Sequence, residues 1–329
     1  MERSWGWWTE HKLDILESYL QVFTTASTSV SERIYLDLFA GWPENVSRET
    51  NEPILGSVHR ALAANPPFTR IGLFELAPKA QRLEAAVRQQ YPHRPGITVY
   101  PGDANQTIDR ALTNLARAGL RWAPTFAFID QYDHEVHWST LEKIANFKDP
   151  RRTKAEMWIL FGTSFYPRGL RLRQDELDHD YAAQLTRMFG TEEWLEITEG
   201  RRRELLTADR WREELVNLMR WRLCRVLGYK VALSLRVRNT NGHHLYDMIF
   251  ATDHPVGEEV MTYLYGKSAA AQNALRQHAL DMRRTRKRSE QGQDPLFELP
   301  RKSYYVPVGE GHEQIVITDP PRPPWRLSG

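Results

Sequence analysis

The chain has 329 residues, 41% hydrophobic and 26% charged, with a net charge of +2. These proportions fit a globular protein with a large core and exclude a disordered or fibrous chain. No apolar run approaches the ~18 residues that span a bilayer, and the N-terminus lacks the apolar stretch of a signal peptide, so a cytoplasmic protein without membrane contact is expected. The single cysteine, Cys224, rules out an internal disulfide and a cysteine-built zinc site, and it reads as a small packing residue in a helical pattern. Residues 1–150 hold 15 Lys and Arg against 18 Asp and Glu, net −3, whereas residues 151–329 hold 29 against 24, net +5. The basic clusters Arg201-Arg202-Arg203 and Arg283-Arg284-Thr285-Arg286-Lys287-Arg288 are candidate contacts for a polyanion such as nucleic acid.

In chain order, residues 8–24 form an amphipathic helix, with Leu13, Leu16, Leu20 and Phe23 on one stripe. The tryptophans ahead of it (Trp5, Trp7, Trp8) read as its hydrophobic anchor. A first strand follows at 33–39, a polar loop at 42–53 and a short helix from Ser57 to Ala64. Strands two (71–75), three (97–100), four (125–130) and five (157–161) then alternate with helical patterns. Strand four is apolar on both faces, as a central parallel strand should be. Residues 162–175 form a basic loop, followed by helices near 176–189, 191–197 and 208–227. A hairpin of 230–238 and 244–251 turns at Asn239-Thr240-Asn241-Gly242. Polar helix is expected over 261–288, and a proline-rich irregular tail over 291–329. The expected organisation is a helix over 1–30 packing on the core, a sheet domain over 31–265 with a helical insertion at 165–228, and a basic helix and tail over 266–329.

This alternation predicts a doubly wound, mostly parallel α/β sheet of methyltransferase-like (Rossmann-like) type, closed by an antiparallel C-terminal hairpin. Acids end the first four strands: Asp37, Glu75, Asp103 and Asp130 follow one another at intervals of 38, 28 and 27 residues, each one βα unit. Such acids also cap helices, so one alone says little. Four in phase suit a nucleoside. Glu75 can accept both ribose hydroxyls, and Asp103 can accept from an adenine amino group. The stretch Asp37-Leu38-Phe39-Ala40-Gly41 does not match the Gly-x-Gly-x-x-Gly of NAD sites. It suits S-adenosylmethionine (SAM), whose cationic sulfonium and ammonium favour acidic surroundings. Asp37, Phe39, Gly41, Glu75, Asp103 and Ala104 are therefore the candidate cofactor-binding residues. After strand four, Asp130-Gln131-Tyr132 keeps the acid and aromatic of an amino-group methyltransferase turn but neither proline, making Asp130 and Tyr132 the candidate catalytic pair. Asp133, His134, Glu135 and His137 admit a general-base reading for His134, but no partner motif elsewhere has metal spacing, so no metal is expected.

Further segments resemble the three-Cys-motif partner (TcmP) family. They are Glu10-His11-Lys12-Leu13-Asp14 to Leu20, Tyr35 to Gly41, Gly102-Asp103-Ala104-Asn105, Phe128-Ile129-Asp130-x-Tyr132, and Leu245 to Pro255. The resemblance covers roughly residues 8–265. It implies a Rossmann-like, methyltransferase-type fold and a three-cysteine-motif partner encoded alongside, often on mobile or defence-related DNA. Two positions depart from the family: Trp42-Pro43 stands where it reads Pro-Gly, and Gln131-Tyr132-Asp133 where it reads Pro-Tyr-Gly. Three functions follow as expectations. The first is a SAM-dependent methyltransferase acting on or near nucleic acid. The second is a catalytically inactive module of that fold binding nucleic acid or the three-cysteine-motif protein, and the third is a metal-dependent nuclease built on the strand-end acids.

Overall fold

The computed structural model describes residues 4–42, 44–47, 53–174, 176–239, 241–290 and 315–327. In chain order the elements are β1 (Ser4–Trp5), α1 (Trp7–Ala26), β2 (Ile34–Asp37), β3 (Glu44–Ser47), β4 (Pro53–Leu55), α2 (Ser57–Ala63), β5 (Arg70–Glu75), α3 (Ala77–Gln90), β6 (Ile97–Pro101), α4 (Ala104–Arg117) and β7 (Thr125–Ile129). They continue with α5 (Trp138–Ala145), β8 (Glu156–Phe161), α6 (Tyr166–Gly169), α7 (His179–Phe189), α8 (Glu193–Arg202), α9 (Ala208–Arg225), β9 (Val231–Arg238), β10 (His244–Thr252), α10 (Pro255–Glu290) and β11 (Val316–Ile317).

Eight strands form one sheet in the order β11-β9-β10-β8-β7-β2-β5-β6. Neighbours from β6 to β8 pair in parallel, and β10 runs antiparallel to both β8 and β9. The last strand of the hairpin is thus inserted beside the fifth parallel strand, which is the expected methyltransferase-like arrangement. From β2 the chain winds outward to β5 and β6, then returns across β2 to β7 and β8. The switch point therefore lies between β2 and β7, where α/β sheets of this kind hold ligands beyond their carboxyl ends.

Side-chain alternation along the strands feeds two apolar layers. Leu36, Phe74, Ala127, Ile129, Met157 and Ile159 pack with α4, α5 and α7–α9. Tyr35, Leu73, Phe126, Phe128, Trp158 and Leu160 face the opposite way, toward α1–α3 and α10. The stripe of α1 (Leu13, Leu16, Tyr19, Leu20) is fully buried there. At ~1.5–3 kcal/mol for each large apolar side chain buried, this stripe alone anchors the helix.

The structure differs from the sequence expectation at both ends of the chain. Within the stretch read as a polar loop, Glu44–Ser47 and Pro53–Leu55 pair with each other, and β1 adds to them as a separate three-stranded sheet. These strands of two to four residues are too short for alternation to stand out. In the tail, where residues 291–314 lie outside the described residues, Val316–Ile317 extends the main sheet along β9. Beyond it, Asn217 and the Arg322 backbone exchange hydrogen bonds of 2.9 and 3.1 Å. The polar helix is one element, α10, which runs through the boundary expected at 265/266.

Gly96, at the entry to β6, has φ +79°, and its carbonyl accepts from Ile71 N–H at 2.8 Å. A β-carbon there would overlap the Thr69 carbonyl. Since the left-handed region alone costs a residue with a side chain ~1–2 kcal/mol, Gly96→Ala is expected to lower stability by at least about 2 kcal/mol. Urea unfolding checks this, and an unchanged midpoint would contradict the packing described.

Candidate active site at the carboxyl edge of the sheet

The four strand-end acids all lie at the carboxyl edge, and hydrogen bonds join their loops. After β2, Leu38 N–H donates to the Phe128 carbonyl (3.0 Å) and Ala40 N–H to the Phe74 carbonyl (3.0 Å), so the loop crosses the switch point held on both sides. Gly41 then turns at φ +63°, a conformation cheap only for glycine, and its N–H donates to Glu75 Oε2 at 2.9 Å. Leu76 N–H donates to Glu75 Oε1 at 2.9 Å, and Gly102 N–H to the Glu75 carbonyl at 3.0 Å. Glu75 thereby joins the turns after β2, β5 and β6. Lys79 Nζ lies 3.9 Å from Oε1, and the carboxylate's remaining lone-pair sites are the candidates for a ligand diol.

Asp103 caps α4, its Oδ1 accepting from Asn105 N–H (2.8 Å) and Asn105 Nδ2 (2.9 Å). Asn105 Nδ2 also donates to the Glu135 carbonyl, while its Oδ1 accepts from His137 N–H and the Thr140 hydroxyl, both at 2.8 Å. One amide thus couples the β6 acid to the loop after β7. Ala104 is buried in the core and Phe39 packs partly buried against it, so side chains at these two candidate positions serve packing. Trp42 is 47% exposed.

Asp37 is fully buried. Tyr35 Oη donates to its Oδ2 at 3.1 Å, and the Ser57 hydroxyl and Phe39 amide lie close to the carboxylate, but Oδ1 lacks a well-aligned donor. Burial raises its pKa to about 7; the Ser57 hydroxyl opposes the shift and the nearby Asp130 charge adds to it. Asp130 is held differently. The Lys12 ammonium, on a residue only 6% exposed, donates to both carboxylate oxygens at 2.6 and 2.5 Å and lies 5.7 Å from the Tyr246 ring centroid. Sequence reasoning missed Lys12 as a site residue. The signal was present: Lys12 stands three, four and seven positions before Ile15, Leu16 and Tyr19 on the apolar stripe, where a charge must find a partner.

The turn after Asp130 is fixed by side chains instead of prolines. Gln131 is buried, its Nε2 donating to the Leu160 carbonyl (3.0 Å) and its Oε1 accepting from Val136 N–H (2.8 Å). Asp133 accepts from Tyr181 Oη at 2.8 Å and lies 2.9 Å from His134 Nδ1. Burial works to lower the His134 pKa, but the bonds to Asp133 and Gln184 win and raise it. Nε2 meets Gln184 Oε1, whereas Nδ1 lies 2.9 Å from Asp133 Oδ2 without hydrogen-bond alignment. Tyr132 projects 71% exposed, its ring tilted against Phe165 with centroids 5.1 Å apart, and its N–H donates to Glu135 Oε2 at 2.9 Å. Among the described residues, no group of three or more His, Cys, Asp or Glu is arranged to hold a metal ion. The nuclease reading therefore lacks a metal cluster among those residues.

The described basic candidates have partners within the fold. Arg201 donates to the Leu206 carbonyl, Arg202 to Glu199 and the Gln174 carbonyl, and Arg203 to Glu199 at 2.8 Å. Arg284 lies 3.6 Å from Asp281. The side chains of Arg283, Arg286, Lys287 and Arg288 lie outside the described residues.

No protein-family model matches the chain, and no curated protein matches it. Among solved structures, protein LPL1258 of Legionella pneumophila strain Philadelphia 1, of family DUF519, is 14% identical over 78% of this chain and 91% of that one, with a TM-score of 0.45. The candidate methyltransferase yhhF of Escherichia coli is 14% identical over 45% of this chain and 70% of that one, with a TM-score of 0.24. Likeness this loose carries no functional argument. The methyltransferase-like assignment of the fold rests on strand order and direction.

The Asp37 carboxyl has a sign that can be tested. Its pKa when folded, about 7, exceeds the ordinary value of 3.8. The stability it contributes is therefore complete below pH ~4 and lost as pH rises through 7. Asp37→Asn is expected to remove a pH-dependent loss on the order of a few kcal/mol across that window in urea unfolding at stepped pH. Glu156, raised to about 7 by burial, supplies slope that remains in the variant. An unchanged pH profile in Asp37→Asn would overturn the assignment.

Proposed function

We propose that the protein is a SAM-dependent methyltransferase whose acceptor is an exocyclic amino group of a nucleobase. One arrangement carries this reading: Asp130, hydrogen-bonded by Lys12 through both oxygens, is followed by the exposed Tyr132–Phe165 ring pair at the same edge as the joined turns of Gly41, Glu75 and Gly102. The residues fit the cofactor on an observation of charge. Asp37 Oδ1 is a buried acceptor without a well-aligned donor, although Ser57 and the Phe39 amide lie near the carboxylate, and a cationic methionine end would supply one. The remaining lone-pair sites of Glu75 suit the ribose, and the amides near Gly41 and the start of α4 suit the remaining polar atoms. When bound, the cofactor supplies an electrophilic methyl group.

The chain's own work is positioning. The base stacks on Tyr132 and Phe165, a contact worth ~1–3 kcal/mol and tolerant of sequence. Its amino group donates to an Asp130 oxygen, since two lone-pair sites remain beyond those taken by Lys12. Holding the nitrogen lone pair in line with the methyl supplies most of the rate. The nitrogen sheds its proton to water after transfer. The TcmP resemblance supports the same reading and adds a three-cysteine-motif protein, in a mobile-element or defence setting, as the proposed partner. Arg201, Arg202 and Arg203 would meet phosphates by exchanging their internal partners, and Arg283, Arg284, Arg286, Lys287 and Arg288 are proposed as further phosphate contacts.

A second reading, a scaffold of this fold without turnover, is favoured by one observation: Lys12 engages both Asp130 oxygens where an acceptor amine must bind. Calorimetry and transfer assays separate the two. The enzyme reading expects micromolar binding of SAM, weakened at least about 100-fold by Glu75→Ala. It further expects methyl transfer to DNA or RNA that falls ~10²–10³-fold in Asp130→Asn with cofactor affinity retained. No heat at millimolar SAM, with nucleic acid or a three-cysteine-motif protein still bound, would establish the scaffold instead.

A further inference from the structure

At the opposite, amino-terminal edge of the sheet lies a cavity of about 190 Å³, between α1, the starts of β7 and β8, the loop after α5 and the first turn of α10. Val22, Phe23, Val30, Pro124, Val256 and Val260 form its apolar walls. Lys148 lines it. That residue is 6% exposed and makes no hydrogen bond or ion pair with the described residues. Its stem is buried while Nζ keeps some solvent contact at the cavity, and none of its three donors is taken by a described residue.

The neighbouring carboxylates do not answer this need. Glu156 is also buried at the cavity, but its two oxygens accept from Tyr19 Oη and Thr252 Oγ1, both at 2.7 Å. Asp253 accepts from Lys154 N–H at 2.9 and 3.1 Å. Burial lowers the Lys148 pKa to about 8; Asp253 and Glu156 oppose that shift and Arg152 adds to it, so the amine remains mostly charged at neutral pH. Ser27, Ser29, Thr153 and His254 complete the polar rim. The amino end of α10 adds a partial positive charge. The unmet demand in the cavity is thus for an acceptor, set against an apolar wall.

We propose that this cavity binds a small hydrophobic monocarboxylate, its carboxylate on Lys148 beside the first turn of α10 and its carbons on the valine and Phe23 wall. An engineered protein cavity of ~150 Å³ holds benzene, so a chain or ring of about four to seven carbons fits the space. The site is independent of the methyltransferase reading, because it uses no residue of the carboxyl edge.

Titration of the full-length chain with hexanoate, hexan-1-ol and inorganic phosphate, each followed by calorimetry and ligand-observed NMR, tests the assignment. Hexanoate is expected to bind at millimolar concentration or below, with hexanol and phosphate each at least about tenfold weaker. Lys148→Met should weaken hexanoate about tenfold while leaving the circular dichroism spectrum and unfolding midpoint at or above those of the parent, and Lys148→Arg should keep most of the affinity. The proposal fails if hexanol or phosphate binds as well as hexanoate. It also fails if folded Lys148→Met binds hexanoate unchanged, or if about 10 mM hexanoate gives no binding in either measurement.

Discussion

The ion pair between Lys12 and Asp130 holds together the two parts of the molecule that the candidate active site needs. Lys12 belongs to the apolar stripe of α1, so folding that helix onto the sheet takes a lysine out of water. Asp130 belongs to the end of β7, next to a second acid, Asp37, close enough for each charge to oppose the other. Without a cation, two carboxylates so placed would compete for one negative charge. Lys12 holds Asp130 through both oxygens, whereas the proton affinity of Asp37 is raised chiefly by burial, with the Asp130 charge adding to it. Breaking a buried pair of this kind typically costs ~3–5 kcal/mol, and Asp130, whose side chain is 25% exposed, belongs at the low end. The same contact fixes the register of α1 over the carboxyl edge, because only one turn of the helix can bring a lysine to that point.

The rest of the edge is built by side chains that do the work of missing prolines and glycines. Gln131 stands where the resemblance expects a proline and clips the turn to the Leu160 carbonyl and the Val136 amide. Asp133 stands where it expects a glycine and is tied to Tyr181 and His134, on and beside the inserted helices. Each such bond is worth only about 1 kcal/mol net, yet together they fix a loop that backbone stiffness alone no longer fixes. The cost is versatility, since the turn now depends on α7 being in place. The helices after β8 are therefore part of the site's support, and their aromatic Phe165 becomes part of its surface.

Much of this architecture was legible in the amino-acid sequence. Apolar periodicity located α1 and the five parallel strands within a few residues, and the Asn-Gly step located the hairpin, whose Gly242 has φ +85°. The acids at the strand ends were legible because strand and acid recur in phase. What escaped has a common cause: each missed feature depends on a partner far away in the chain. β11 exists only because β9 offers an edge some eighty residues earlier. Lys12 is a site residue only because Asp130 lies across the fold, 118 positions on. Asn105 is an ordinary polar residue in α4 until His137 and Thr140 donate to it. Local pattern carries local structure, whereas long-range hydrogen bonds follow from packing that no window of sequence contains.

Two fully buried carboxyls show why a perturbed pKa alone does not identify a functional group. Asp37 and Glu156 are both raised to about 7, in both cases chiefly by burial, and they lie at opposite ends of the sheet. Glu156 has two hydroxyl donors, one on each oxygen, and with those bonds it is a satisfied structural acid that joins α1 to β8 and β10. Asp37 is approached by Tyr35, the Ser57 hydroxyl and the Phe39 amide, yet its Oδ1 lacks a well-aligned donor, near the turn where Gly41 N–H meets Glu75. The difference lies in unspent hydrogen-bonding capacity. A buried group that is already saturated can only lose by meeting a ligand, whereas one with an open lone pair gains the bond that folding left unmade. The same criterion applied to donors separates Lys12, satisfied by Asp130, from Lys148, satisfied by nothing in the fold. Unmet capacity, more than proton affinity, marks where this molecule is complementary to something other than itself.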